Sequence, residues 1–276
     1  MKESKETVFE ADVHESKTNN AMAKAVVQEV GGNFELNYFS FVDVDSGFIY
    51  FSVPGVANVR TIGSLQYAIA KARGVDFEIS NIKPIYNRGM GLIGNPKTHG
   101  FEKFGEMLDD PSVIRFTFLR DPVDRFAALY HSLLSINTKQ TKPRTRIFEF
   151  LDMPLDEDIS SLDLAELLLE EPELKQISPH LRSQRKMTAF DLVEYSFMGR
   201  HERWAQGFAD VSLEIFGEPA APFNPVGVIA ADIEGLAVKP LISSDVRAII
   251  KQAYAEDYEM LEEVEELFPD GFALES

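Results

Sequence analysis

A chain of 276 residues with 45% hydrophobic side chains carries enough apolar material for one large α/β domain or two small ones. It has no cysteine, which excludes a disulfide framework, a thiolate metal site and a cysteine nucleophile; the polar first twenty residues and the absence of any apolar run near the roughly 18 residues of a membrane span read as a soluble, cytoplasmic protein without membrane insertion. The net charge of −18 argues against general affinity for nucleic acid or an anionic membrane, while most Lys and Arg gather between Arg60 and Arg203, where an acidic chain can still hold a small anion.

Residues 1–24 read as a flexible extension, with a loose helix beginning at Asn20, and residues 25–276 as a single domain. Residues 34–42 alternate as an edge strand does, and Asp43 to Gly47 is turn chemistry, too short a loop for a calcium ligand set. Residues 48–53 form a wholly apolar strand. Pro54-Gly55-Val56-Ala57-Asn58 follows, and a helix from Asn58 or Val59 carries Ile62, Leu65, Ile69 and Ala72 until Gly74 ends it. Strand, small-residue loop and helix N-terminus let backbone N–H groups approach an anion, although no G-x-x-x-x-G-K-[ST] is present. Residues 79–85 read as a third short strand. Residues 87–100 read as a glycine-rich loop whose one histidine is His99, and residues 101–108 as a short helix.

Residues 113–119 are the central strand. Arg120 follows, then Asp121 as N-cap and Pro122 in the first turn of a helix with Phe126, Leu129, Tyr130, Leu133 and Leu134 on one face. Arg120 is thereby placed where a strand's carboxyl end meets a helix N-terminus, the position at which open α/β sheets bind anions; an ion pair with Asp121 or Asp124 is the alternative. Residues 137–146, with Lys139, Lys142, Arg144 and Arg146, form a basic loop, either a lid over a phosphate or simply solvated. Residues 147–169 are helical with a break at Pro154 and a capping signal at Ser161-x-Asp163, residues 178–184 a turn, and residues 192–199 a strand. A helix from Arg200 ends near Gly217, residues 220–226 are a Pro-rich loop, and residues 243–268 form one long acidic helix whose apolar stripe packs on the core or on a second subunit, the core being favoured.

The order of these pieces resembles a known family. Strand-PxxxxxxT-helix (Pro54 to Thr61), strand-LRDPxxRFxxxY-helix (Leu119 to Tyr130), PHxxxQ (Pro179, His180, Gln184), the run YSFMGRHERW and a Y-x-x-D-Y helix ending at Tyr258 are similar to the PAPS-dependent sulfotransferases, most closely their carbohydrate-type, family-2-like branch, over residues 48–258. The resemblance implies a P-loop-like three-layer fold with a central parallel sheet flanked by helices. It implies transfer of a sulfuryl group from PAPS to a hydroxyl of a small molecule or glycan, without a metal; the alternative is a sulfotransferase-like pseudoenzyme that binds a nucleotide, glycan or protein partner. A P-loop kinase lacks support because the phosphate-loop lysine motif is missing.

By the same resemblance Arg120 binds the donor's 3′-phosphate, and Pro54, Gly55, Val56, Ala57, Asn58 and Thr61 surround the phosphosulfate. Two residues depart from the family pattern. Gly55 stands where relatives carry a lysine that stabilises the leaving phosphate, and Ala128 where they carry a serine on the 3′-phosphate. A lysine aimed at developing charge supplies several kcal/mol of transition-state stabilisation, on the order of 3. Arg60 is the first candidate to replace it as the catalytic cation, with Arg88 and the 139–146 loop as others. His99 is the first candidate for the acceptor base; His131 reads as packing and His180 as structural.

Overall fold

Among the described residues, four strands form one sheet in the order β1-β2-β3-β4. The computed structural model describes residues 20–81, 83–87, 89–134, 142–224 and 242–269. In chain order these contain α1 (Ala21–Glu29), α2 (Asn33–Phe39), β1 (Ser40–Asp43), β2 (Phe48–Phe51), α3 (Asn58–Arg73), α4 (Lys83–Tyr86), α5 (Pro96–His99), α6 (Phe101–Asp109), β3 (Ile114–Leu119) and α7 (Pro122–Leu134). Then follow α8 (Lys142–Phe150), α9 (Ser161–Glu170), α10 (Leu174–Ile177), α11 (Gln184–Met187), β4 (Phe197–Arg200), α12 (Trp204–Phe216) and two C-terminal helices, Ser244–Ala253 and Ala255–Leu267.

β2, β3 and β4 are parallel, but β1 is an antiparallel edge paired Asp43 to Phe48, so the sheet is mixed where a parallel one was expected. The reason is local: a short turn joins only antiparallel neighbours, whereas the parallel pairs need a helical crossover. Asp43 closes that turn, accepting from Asp45 N and Ser46 Oγ, and Arg73 binds its carboxylate at 2.7 Å. All residues of β1 and β2 are buried; β2 is wholly apolar, and the buried Asp43 that ends β1 is paired with Arg73. Phe48, Tyr50, Phe116 and Phe118 share a core with Ile62, Leu65 and Ile69 of α3 and Trp204 and Phe208 of α12. Val42, Ile49 and Phe51 pack in another cluster with Ala23 and Val26 of α1 and Phe104 and Met107 of α6. Burying a phenylalanine of this kind stabilises by about 2–3 kcal/mol. No helix among the described residues is long and apolar enough to cross a membrane.

Several boundaries differ from the sequence expectation. Residues 34–39 are helix, because Leu36 and Phe39 turn inward at helical spacing while Phe34 and Tyr38 stack on the exposed side at 6.0 Å. Residues 79–85 make no strand: Ile79 and Ile85 are buried, but Asn81 Oδ1 accepts from Lys83 N and starts α4. α5 interrupts the glycine-rich stretch, held by a reciprocal Asn95–Thr98 capping box. The cap of α9 is Ser160, one residue before the expected one, and β4 begins only at Phe197. The long C-terminal helix is two, broken at Tyr254, whose hydroxyl donates to Leu181 O; its apolar stripe does face the core through Val246, Ile250 and Ala253. Asn20 caps α1 and residues 21–24 belong to it with Ala23 buried, while residues 1–19, Arg88, Lys139 and the end of the Pro-rich loop lie outside the described residues.

Four buried arginines cross-link the fold through backbone carbonyls. Arg115 donates to Leu108, Asp110 and Glu194; Arg125 to Pro54, Pro179 and His180; Arg144 to Leu134, Leu155 and Glu157; Arg182 to Val30 and Gln176. Five donors in a fixed fork allow one guanidinium to satisfy several loop carbonyls at once. Arg144 is therefore a strut and not part of a lid. Much of the mid-chain positive charge is structural.

Candidate functional site

The loop after β2 and the first turn of α7 meet at the carboxyl end of the parallel strands, where the chain leaves the sheet twice beside helix N-termini. Ser52 N donates to Phe39 O at 2.8 Å and Val56 N to Val53 O at 3.1 Å, which fixes a tight bend. Gly55 (φ 82°) and Ala57 (φ 50°) are left-handed, and no side chain caps α3. The first-turn amides of Asn58, Val59 and Arg60 thus have no intrahelical acceptor, and the helix dipole adds positive potential there.

Gly55 fits this bend for two reasons. Its φ disfavours L side chains, and a Cβ would lie 3.3 Å from Leu129 and 3.4 Å from Arg125 Cγ. Gly55→Ala should destabilise the fold by about 1–2 kcal/mol, read from urea midpoints; an unchanged midpoint would mean that the loop relaxes freely.

Arg120 bridges the two strand ends. Its peptide is clamped by Gln184, whose Oε1 accepts from Arg120 N at 3.0 Å and whose Nε2 donates to Arg120 O at 2.7 Å. Its Nη1 donates to Gly55 O at 3.0 Å, and its buried Nε has no hydrogen-bond partner. Burial lowers the guanidinium's proton affinity while Asp124, Glu202 and Asp121 oppose that, so the cation persists with an unspent donor. Asp121 turns to its own helix: Oδ1 accepts from Val123 N and Asp124 N, and Oδ2 from Tyr258.

Arg125, five residues on, is 2% exposed and ties Pro54 O to the carbonyls of Pro179 and His180. Burial first, and then this neighbouring cation, push the His180 imidazole down to about 4 from its ordinary value near 6.5. Below pH 6.5 the unfolded chain takes up a proton that the folded chain refuses, so stability falls as pH drops toward 4. The loss should reach about 3 kcal/mol, and His180→Phe should flatten the urea midpoint against pH across that window; an equal slope in both proteins would refute it.

The structure brings together most of the residues expected around the donor, in altered roles. Thr61 is fully buried, and its hydroxyl donates to Ala57 O and accepts from Trp204 Nε1 at 2.8 Å, so it shapes the loop instead of meeting a phosphate. Pro54 gives its carbonyl to Arg125, Val56 packs in the core, and Asn58 Oδ1 is buried without a partner. Arg60 projects from the first turn of α3 with its guanidinium 6.0 Å from the Trp204 ring. Ala128 lies on α7, two turns beyond Asp121, and offers no polar atom. His99 stands apart, its Nε2 3.2 Å from Val42 O on the edge strand. Val42 pairs with Ile49, about 10 Å short of the loop along β2.

Gln184, Trp204, Asp257 and Tyr258 do their structural work around the site, although sequence reasoning gave them no role there. Their signal lay in the PHxxxQ and GRHERW runs, and in one aspartate set among Tyr254, Leu261 and Val264 on a buried helix face. A cavity of about 430 Å³ opens at the opposite end of the sheet beside Ile114, Ser196 and Leu213.

A family model described as the sulfotransferase family matches residues 40–262, from β1 into the last helix. No curated protein and no solved structure matches the chain. The match spans the sheet, both strand-to-helix turns and the clamp on Arg120, and by it the chain belongs to the sulfotransferase family.

Proposed function

We propose that this sulfotransferase takes its sulfuryl group from PAPS and delivers it to a hydroxyl acceptor, a carbohydrate first, on the P-loop-like three-layer fold of its family. The observation that carries the reading is Arg120: a clamped, partly buried guanidinium with an unpartnered Nε between two strand ends. Such a donor suits a phosphate, and the uncapped first turn of α3 suits a second. Arg120 holds the 3′-phosphate, and the amides of Ala57 to Arg60 hold the phosphosulfate. PAPS supplies the activated sulfuryl group.

Arg60, in the first turn of α3, takes the charge-stabilising role that relatives give to lysine. His99, the first candidate for the acceptor base, lies against Val42 O about 10 Å short of the loop, too far to take a proton from a hydroxyl placed there. A second reading, a binder without transfer, is favoured by Gly55 and Ala128 together. Titration of the full chain with PAP, followed by transfer from labelled PAPS to a panel of hydroxylated acceptors, separates them. Binding with transfer supports the enzyme, binding without transfer on any acceptor supports the binder, and no binding sinks both donor assignments.

A further inference from the structure

We propose that Asp257 and Tyr258, consecutive residues of the last helix, are positioning residues that fix Arg120 from both sides. The inference rests on the donor role given to Arg120 above. Asp257 is fully buried on a face otherwise made of Tyr254, Met260, Leu261 and Val264. Met260, Leu261 and Val264 pack against Leu119 and Met198, which accounts for the helix docking on the sheet. Packing does not account for a carboxylate there, since an uncompensated buried charge opposes folding.

The hydrogen bonds show what it does. Asp257 Oδ1 accepts from Arg185 N at 3.0 Å, in the first turn of α11. The preceding residue is Gln184, whose side chain brackets the Arg120 peptide with two hydrogen bonds. Tyr258 donates to Asp121 Oδ2 at 3.2 Å, and the other oxygen of Asp121 holds the first turn of α7. Arg120's own peptide and its next residue are thus both tied to one helix turn that is 137 positions away in sequence. Burial raises the Asp257 proton affinity, and the positive field of Arg125, the arginine that anchors the Pro54 loop, opposes it.

The test uses the full-length chain, with PAP affinity by calorimetry and thermal midpoints measured in parallel. Tyr258→Phe and Asp257→Leu should each weaken PAP binding by roughly tenfold, whereas Asp257→Asn, which keeps an Oδ1 acceptor, should stay within about threefold of native. Val264→Ala, in the same helix but outside both relays, should lower the midpoint and leave PAP affinity unchanged. Native affinity in Tyr258→Phe and Asp257→Leu, with binding abolished in Arg120→Ala, would overturn the proposal and spare the donor reading. Affinity lost in Val264→Ala in step with its stability would overturn it too, because the helix would then act by packing alone. If Asp257→Leu does not fold, Tyr258→Phe decides. A native chain that binds no PAP removes the donor reading itself, and this proposal with it.

Discussion

Replacing Arg125 by alanine should lower folding stability by about 4 kcal/mol. The side chain is 2% exposed and donates to the carbonyls of Pro54, Pro179 and His180. A hydrogen bond to a charged donor contributes about 1.5–3 kcal/mol, and each stranded carbonyl keeps its desolvation penalty. Truncation also leaves a cavity beneath Leu129 and Tyr254, which with Arg125 line a small void of about 10 Å³. Arg125→Lys should recover only part of the loss, since a single ammonium cannot span three carbonyls from two loops. Urea unfolding followed by circular dichroism measures both; a loss below about 1 kcal/mol would mean that water reaches those carbonyls.

Arg120→Ala should show the opposite split: at least about 100-fold weaker PAP binding with a nearly native thermal midpoint. The clamp from Gln184 engages the backbone of residue 120 and survives the substitution, so only the bond to Gly55 O is lost from the folded state. What disappears is the partly buried cation and its unpartnered Nε. Calorimetric titration beside a thermal melt distinguishes the cases. Retained PAP affinity would place the nucleotide elsewhere, and a collapsed midpoint would make Arg120 a strut like Arg125. On the proposed donor reading, two arginines in one eight-residue motif divide the work, one holding the frame and one facing the ligand.

The strand, cap and helix from Val113 to Leu134 were legible because each signal is local: an apolar β-branched run, then Asp121, then Pro122 at the first helical position. Residues 34–39 were not. Phe34, Leu36 and Tyr38 alternate as a strand would, and the docking of Leu36 and Phe39 into the core decides for a helix. The candidate site was legible in its backbone, since Arg120 and the 54–58 loop meet as the motif order implied. The roles of single side chains were not. Thr61 is occupied by Trp204, 143 positions away, and whether an arginine faces a ligand or a loop carbonyl depends on segments that sequence does not juxtapose.

The carbonyl-bound arginines have an electrostatic consequence for solution behaviour. Arg115, Arg125, Arg144 and Arg182 are four of the 27 basic residues, and withdrawing them from the exterior leaves a surface poorer in cations than the composition suggests. If Arg120 is the donor site proposed above, a polyanionic ligand such as PAP diffuses toward a repulsive outer field and feels Arg120 only at short range. Raising ionic strength from about 0.01 to 0.15 M shortens the screening length from about 30 to 8 Å and should speed its association, the reverse of the usual salt dependence for an anion meeting an arginine site. Stopped-flow rates across that range would show the sign, and slowing with salt would mean that the local field of the site outweighs that of the whole protein.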